Sequence, residues 1–167
     1  MIQSIENFLL KKLGRSLAVF ICSMIPIIEL RGSIPLGASI GIPFWQNYLI
    51  SVIGNMIPVP FILLFISSVL SWMSKSKIKW ISKLAGWVYK RADKNKSKIE
   101  KYTFWGLFIF VAIPIPGTGA WTGSLIAALL NIKFSKSIIA VFLGVLAAGV
   151  IMTLISYGVV GLIAKLF

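Results

Sequence analysis

The stretch IPIIELRGSIPLGASIGIP, residues 25–43, decides the fold of this chain. It is apolar on both sides of Glu29 and Arg31, and Pro26 and Pro35 stand on either side of that charged pair. A charged residue at membrane depth costs about 2.5–3.5 kcal/mol on insertion scales, and it faces a protein interior or a water-filled cavity. The stretch therefore predicts a broken, re-entrant membrane segment that lines a site. The alternative is a Glu29–Arg31 pair that only stabilises the fold.

The composition indicates one integral membrane domain, residues 1–167. The chain is 58% hydrophobic, and its mean hydropathy is +0.94. The net charge of +13 indicates contact with anionic lipid headgroups. Nucleic acid is excluded because the apolar runs leave no room for a soluble core. The chain has no histidine and a single cysteine, Cys22, which argues against a metal site, a disulfide and a cofactor.

Two long segments without a formal charge are predicted to cross the membrane, residues 45–72 and residues 137–164. They predict a multi-pass protein of the cytoplasmic membrane. Pro58 and Pro60 should kink the first span, and Asn55 is a buried polar group that needs a partner. A packing kink and a functional one are both open at this point.

A strongly basic linker, residues 73–101, separates the two halves of the chain. It is predicted to form an amphipathic helix on the membrane surface, on the cytoplasmic side by the positive-inside rule. A dedicated binding patch is the alternative. Residues 2–13 also have apolar positions at helical spacing and predict a second interfacial helix.

The second half of the chain, residues 102–165, repeats the order of elements in the first half, residues 16–72. A shift of 90 residues places Ile25–Pro26 on Ile115–Pro116, and it aligns Ala38 with Ala128, Ile42 with Ile132, Phe44 with Phe134 and Gly54 with Gly144. The predicted fold class is all-α, with two repeats that each contain a re-entrant helical hairpin followed by a long transmembrane helix. Lys133 and Lys136 follow only the second hairpin, so we expect the repeats to be inverted.

Two segments carry residues suited to binding. Arg31 can hold a phosphate or carboxylate by a two-pronged contact, and Glu29, partly removed from water, can accept a proton near neutral pH. In the second segment, PIPGTGAWTG at residues 114–123, glycine amides, threonine hydroxyls and Trp121 could contact a ligand. A tight turn is the alternative for that segment. No catalytic carboxylate pair or Ser/His arrangement is present, so we expect no enzyme activity.

Gly144, Ala148, Gly149, Ser156 and Gly158 form a small-residue face on the last span. Such a face is typical of close helix packing, within the chain or in a homo-oligomer.

The motifs IELRGSIP, residues 28–35, and IPIPGTGAWTGSL, residues 113–125, resemble the two signature motifs of the small multidrug export protein family. That family is similar in design to the DedA/VTT superfamily of lipid-handling membrane proteins. The resemblance implies two re-entrant hairpins that meet near mid-membrane and a transport role. The arginine that DedA relatives carry in their second hairpin is absent here. By motif match, the implied site residues are Glu29, Arg31, Gly32, Pro35, Pro116, Gly117, Thr118, Gly119 and Trp121.

These observations predict a proton-coupled membrane transporter that moves an amphipathic or anionic substrate, such as a phosphorylated lipid carrier. Its partners would be protons, membrane lipids and the lipid phosphate. One alternative is export of small amphipathic or cationic compounds. A further alternative is a membrane-organising protein without transport, in which Glu29 and Arg31 are structural.

Overall fold

The computed structural model describes residues 14–75, 103–115 and 117–166, together with Lys83, Gly86 and Lys90. The helix predicted at residues 2–13, most of the basic linker and Pro116 lie outside the described residues. All regular structure in the described parts is helical, which confirms the all-α prediction.

Seven helices follow one another in these parts of the chain. They are α1 (Arg15–Met24), α2 (Glu29–Ser39), α3 (Phe44–Met56), α4 (Pro58–Ser74), α5 (Thr103–Ala112), α6 (Ala120–Leu129) and α7 (Phe134–Leu166).

The break in the opening stretch lies earlier than the sequence pattern places it. Helix α1 ends before Ile25, which has φ −75° and ψ 128°, the extended conformation that a following proline favours. Because α2 already begins at Glu29, Glu29 and Arg31 belong to a helix and not to the break. The segment at residues 114–123 is also helical in its last part, since α6 begins at Ala120.

Two helical segments are long and apolar enough to cross a membrane. They are Phe44–Ile66, with mean hydropathy 2.3, and Phe134–Val159, with mean hydropathy 2.8. The first is interrupted at Ile57, and Pro58 follows as the first residue of α4, where its missing N–H costs no helical hydrogen bond. These two candidate spans coincide in position with the predicted ones, with shifted ends.

The chain divides into two compact units. The first comprises Met1–Ile57 and Val145–Phe167, and the second comprises Pro58–Gly144. In the first unit, α1, α2 and α3 pack against one another around fully buried side chains that include Ala18, Val19, Cys22 and Ile34. In the second unit, α6 packs on α4 and α5, and its core includes Val59, Leu107, Val111 and Ile126.

Helices α2 and α6, which the 90-residue shift aligns, end with the same backbone geometry. The N–H of Ile42 donates to the carbonyl of Gly37 at 2.9 Å, and the N–H of Ile132 donates to the carbonyl of Ala127 at 3.0 Å. The residues just before, Gly41 and Asn131, have φ of 77° and 52°. This is the Schellman ending, which requires a left-handed residue that glycine or asparagine adopts most easily. The two aligned helices, α2 and α6, therefore end in the same way.

The aligned glycines Gly54 and Gly144 also allow close contact between helices. Gly54 brings α3 close to α1, and Gly144 brings α7 close to α5. A Cβ added at Gly54 would lie 2.7 Å from the carbonyl oxygen of Phe20, and one added at Gly144 would lie 3.0 Å from that of Phe108. Backbone oxygens cannot move aside without moving their helix, so both positions need a residue without a side chain. The aligned glycines of the sequence repeat thus have the same structural role.

Candidate functional site

Helix α3 has one buried face with polar side chains and an opposite, exposed face with large apolar side chains. Asn47, Ser51 and Asn55 recur every four residues on one face, and all three are fully buried. On the opposite face, three large apolar side chains are more than half exposed: Trp45, 65%, Leu49, 53%, and Ile53, 56%. A helix in water shows the reverse pattern. The pattern is expected of a helix that contacts lipid on one side and encloses a polar site on the other.

The polar face of α3 packs against α2. The Ser33 hydroxyl donates to the Ser51 hydroxyl at 2.9 Å, and the amide of Asn47 lies so close to Gly37 that a Cβ there would overlap it. The Asn47 side chain also donates to the carbonyl of Ile34 at 2.8 Å. The small residues of α2 therefore admit the polar side chains of α3 between the two helices.

The polar network extends to α7 within the same unit. The Asn47 amide donates to the hydroxyl of Tyr157 at 3.0 Å, and that hydroxyl donates to the carbonyl of Ile42 at 2.6 Å. Ser51 makes a longer contact, 3.5 Å, to the amide oxygen of Asn47. Through Tyr157, these hydrogen bonds connect the C-terminal end of α2 to α7 and fix the position of the two helices in this unit.

Glu29 and Arg31 form a buried ion pair at the beginning of α2. One guanidinium nitrogen of Arg31 lies 3.1 Å from a carboxylate oxygen of Glu29, and the exposed fractions of the two side chains are 16% and 5%. Side chains two apart on a regular helix point away from each other. The pair forms because Glu29 has φ 50°, a left-handed conformation that non-glycine residues rarely adopt. Such strain is concentrated at functional sites.

Glu29 is the single acidic residue among those that the structure describes. Gly32 follows the ion pair in α2, and its Cα lies against Ile28, whose side chain would be 2.5 Å from an added Cβ. Pro35 lies one turn further along α2. The four predicted site residues of the first motif are thus on one helix. Of the two charged residues, Glu29 is more deeply buried than Arg31.

The second motif belongs to the other unit and has a different structure. Gly117 and Gly119 have φ of 86° and 129°, and the hydroxyl of Thr118 donates to the carbonyls of Ile113 and Ile115 at 2.9 and 2.8 Å. Trp121 lies in the first turn of α6 and is partly buried. The glycines and Thr118 thus form a tight turn, which is the alternative to ligand binding for this segment. Pro116 lies outside the described residues.

Sequence reasoning did not single out Ser33, Asn47, Ser51 and Tyr157. The signal was present, because polar residues every four positions in an otherwise apolar segment define one helical face. The sequence predicts burial for Asn55 only, although the same spacing places Asn47 and Ser51 on its helix face.

The described helices and the buried polar face define a membrane protein with an internal ion pair. Residues 29–151 match the family model described as "Putative small multi-drug export protein". The match covers most of the chain, and the chain belongs to this family. No curated protein and no solved structure matches it.

Proposed function

We propose that the protein is a proton-coupled membrane transporter and that the Glu29–Arg31 pair is its substrate site. The observation that supports this most directly is a buried ion pair on a strained backbone, next to a polar helix face, in a chain of an export family. Buried ion pairs contribute little net stability, because removal of both charges from water offsets their attraction. A functional role explains why the pair is present.

The proposed cycle alternates the partner of Arg31. When Glu29 accepts a proton, its carboxyl loses the charge that holds the guanidinium, and Arg31 can bind an anionic group on the substrate. When Glu29 releases the proton, the ion pair forms again and the anion leaves. The substrate that suits this cycle is an amphipathic anion, such as a phosphorylated lipid carrier, because the guanidinium fork matches phosphate oxygens.

A second candidate is export of small amphipathic or cationic compounds, which the description of the family favours. In that case Glu29 binds the cation, and Arg31 competes with it. The two candidates predict opposite effects of neutralising Arg31: loss of transport for an anion, and retained or improved transport for a cation.

We expect Glu29→Gln to abolish the response of transport to a pH gradient, because the amide keeps the shape of the side chain but cannot bind or release a proton at physiological pH. The measurement is movement of a labelled polyprenyl phosphate, and separately of tetraphenylphosphonium, in liposomes containing the purified protein, with and without an imposed gradient. Lys136→Gln is the control, since it removes an exposed charge.

A Glu29→Gln variant with the gradient response of the wild type would remove Glu29 from the mechanism. Folded wild-type protein that moves neither probe would favour the membrane-organising alternative. If Arg31→Gln stops the phosphate and not the cation, the anion is the substrate.

The proposal includes a re-entrant hairpin in each repeat and an inverted, multi-pass arrangement of the two repeats in the cytoplasmic membrane. The exposed Lys133 and Lys136 would face anionic headgroups on the cytoplasmic side. Single cysteines at the exposed positions Ser39 and Ser135, in a Cys22→Ala background, should then react with an impermeant reagent from opposite sides of the membrane. Reaction of both from one side would contradict the inverted topology.

A further inference from the structure

Helices α2 and α3 are antiparallel neighbours with a regular register. Gly37 lies against Asn47, and four residues earlier on α2, Ser33 bonds to Ser51, four residues later on α3. Each step of four residues advances about 6 Å along a helix. Continued by one more step, this register pairs Glu29 with Asn55, and from it we infer that Asn55 lies at the level of the ion pair.

Asn55 differs from the two polar residues before it on α3. It is fully buried, yet neither its amide nitrogen nor its amide oxygen has a hydrogen-bond partner among the described residues. A buried amide without partners costs free energy, because its polar atoms lose their bonds to water and gain none in the protein. Asn47, on the same face, is equally buried and has bonded partners. Of the three buried polar side chains on this face of α3, only that of Asn55 has no partner among the described residues.

We propose that Asn55 is the second anion-binding residue of the site, an inference that rests on the proposed function. Its amide N–H donates to an oxygen of the substrate headgroup whose negative charge pairs with Arg31. The guanidinium supplies charge and two donors, and the amide adds a neutral donor from a second helix. This set of donors suits a phosphate or a phosphate ester, whose several oxygens accept in different directions. The occupied state satisfies the buried amide N–H of Asn55, so binding offsets that part of the cost that the empty state carries.

The test compares two asparagines of one helix face, Asn55→Leu and Asn47→Leu, in purified full-length protein in nanodiscs. Leucine fills a similar volume without polar atoms. We expect Asn55→Leu to leave the thermal midpoint of the empty protein unchanged or raised, because no hydrogen bond is lost. We expect Asn47→Leu to lower it by several degrees, because the bonds to Ile34 and Tyr157 disappear.

The second readout is binding of two probes, a short-chain polyprenyl phosphate and inorganic phosphate. We expect Asn55→Leu to weaken polyprenyl phosphate binding about tenfold or more, the effect of losing one hydrogen bond to a charged group. Ser39→Ala, which changes an exposed side chain at the opposite end of α2 from the ion pair, should bind like wild type. Binding of inorganic phosphate alone with the same dependence on Asn55 would identify a free anion as the ligand in place of a lipid headgroup.

Equal polyprenyl phosphate affinity in wild type and Asn55→Leu would overturn the role of Asn55 and leave the proposed function intact. A large drop in the thermal midpoint of empty Asn55→Leu would also overturn it, because Asn55 would then be structural. Folded wild type that binds neither phosphate probe would overturn the anionic substrate itself, and with it this inference.

Discussion

Arg31→Ala should lower the free energy of unfolding by about 3–5 kcal/mol, the range for breaking a buried ion pair by removing one partner. The Glu29 side chain is only 5% exposed, so loss of the guanidinium leaves a buried charge without its counterion. The measurement is chemical or thermal unfolding of purified protein in one detergent, followed by helix content.

The double variant Glu29→Gln with Arg31→Ala removes both charges and should recover most of the lost stability. Lys136→Ala, at an exposed position, should change stability by less than about 0.5 kcal/mol. If Arg31→Ala is as stable as Lys136→Ala, another group compensates Glu29, and the ion pair is not the central feature of the site.

Gly54→Ala should lower the free energy of unfolding by about 1–3 kcal/mol, the usual cost of overpacking a close helix contact. The added methyl group would overlap the hydroxyl of Ser23 and lie 2.7 Å from the carbonyl oxygen of Phe20. That carbonyl already accepts the Ser23 hydroxyl at 2.6 Å, so the side chain and the backbone would have to move together. Thermal unfolding in detergent measures the effect.

Gly158→Ala is the matched control for Gly54→Ala. Gly158 is also helical and exposed, and an added Cβ there meets no atom within 4 Å. Alanine should therefore stabilise α7 at this position by up to about 1 kcal/mol through helix propensity. Equal stability of Gly54→Ala and Gly158→Ala would show that α1 and α3 are not in close contact at Gly54.

Much of the fold follows from local sequence. Long uncharged segments predict the two spans, because their length and hydropathy leave few other structures possible. Prolines predict the breaks near Pro26 and Pro58, since proline restricts its own backbone and that of the residue before it. The 90-residue alignment of Ala38, Ile42 and Gly54 with their equivalents also appears in the structure as matching helix endings and close contacts.

The sequence alone also identified Glu29 and Arg31 as the charged residues in an apolar stretch, but it did not establish how they meet. Their pairing depends on the left-handed backbone of Glu29, which no local preference for glutamate predicts. The turn formed by Thr118 was ambiguous for the same kind of reason, because a hydroxyl can bond to its own loop or to a ligand.

The polar face of α3 became a site only through tertiary structure. Spacing places Asn47, Ser51 and Asn55 on one side of a helix, whatever that helix packs against. The contacts with α2 and α7 determine that Asn47 and Ser51 are bonded while Asn55 is not. Hydrogen-bond partners are chosen by packing between segments far apart in the chain, and that information lies in the register of the helices and not in any one of them.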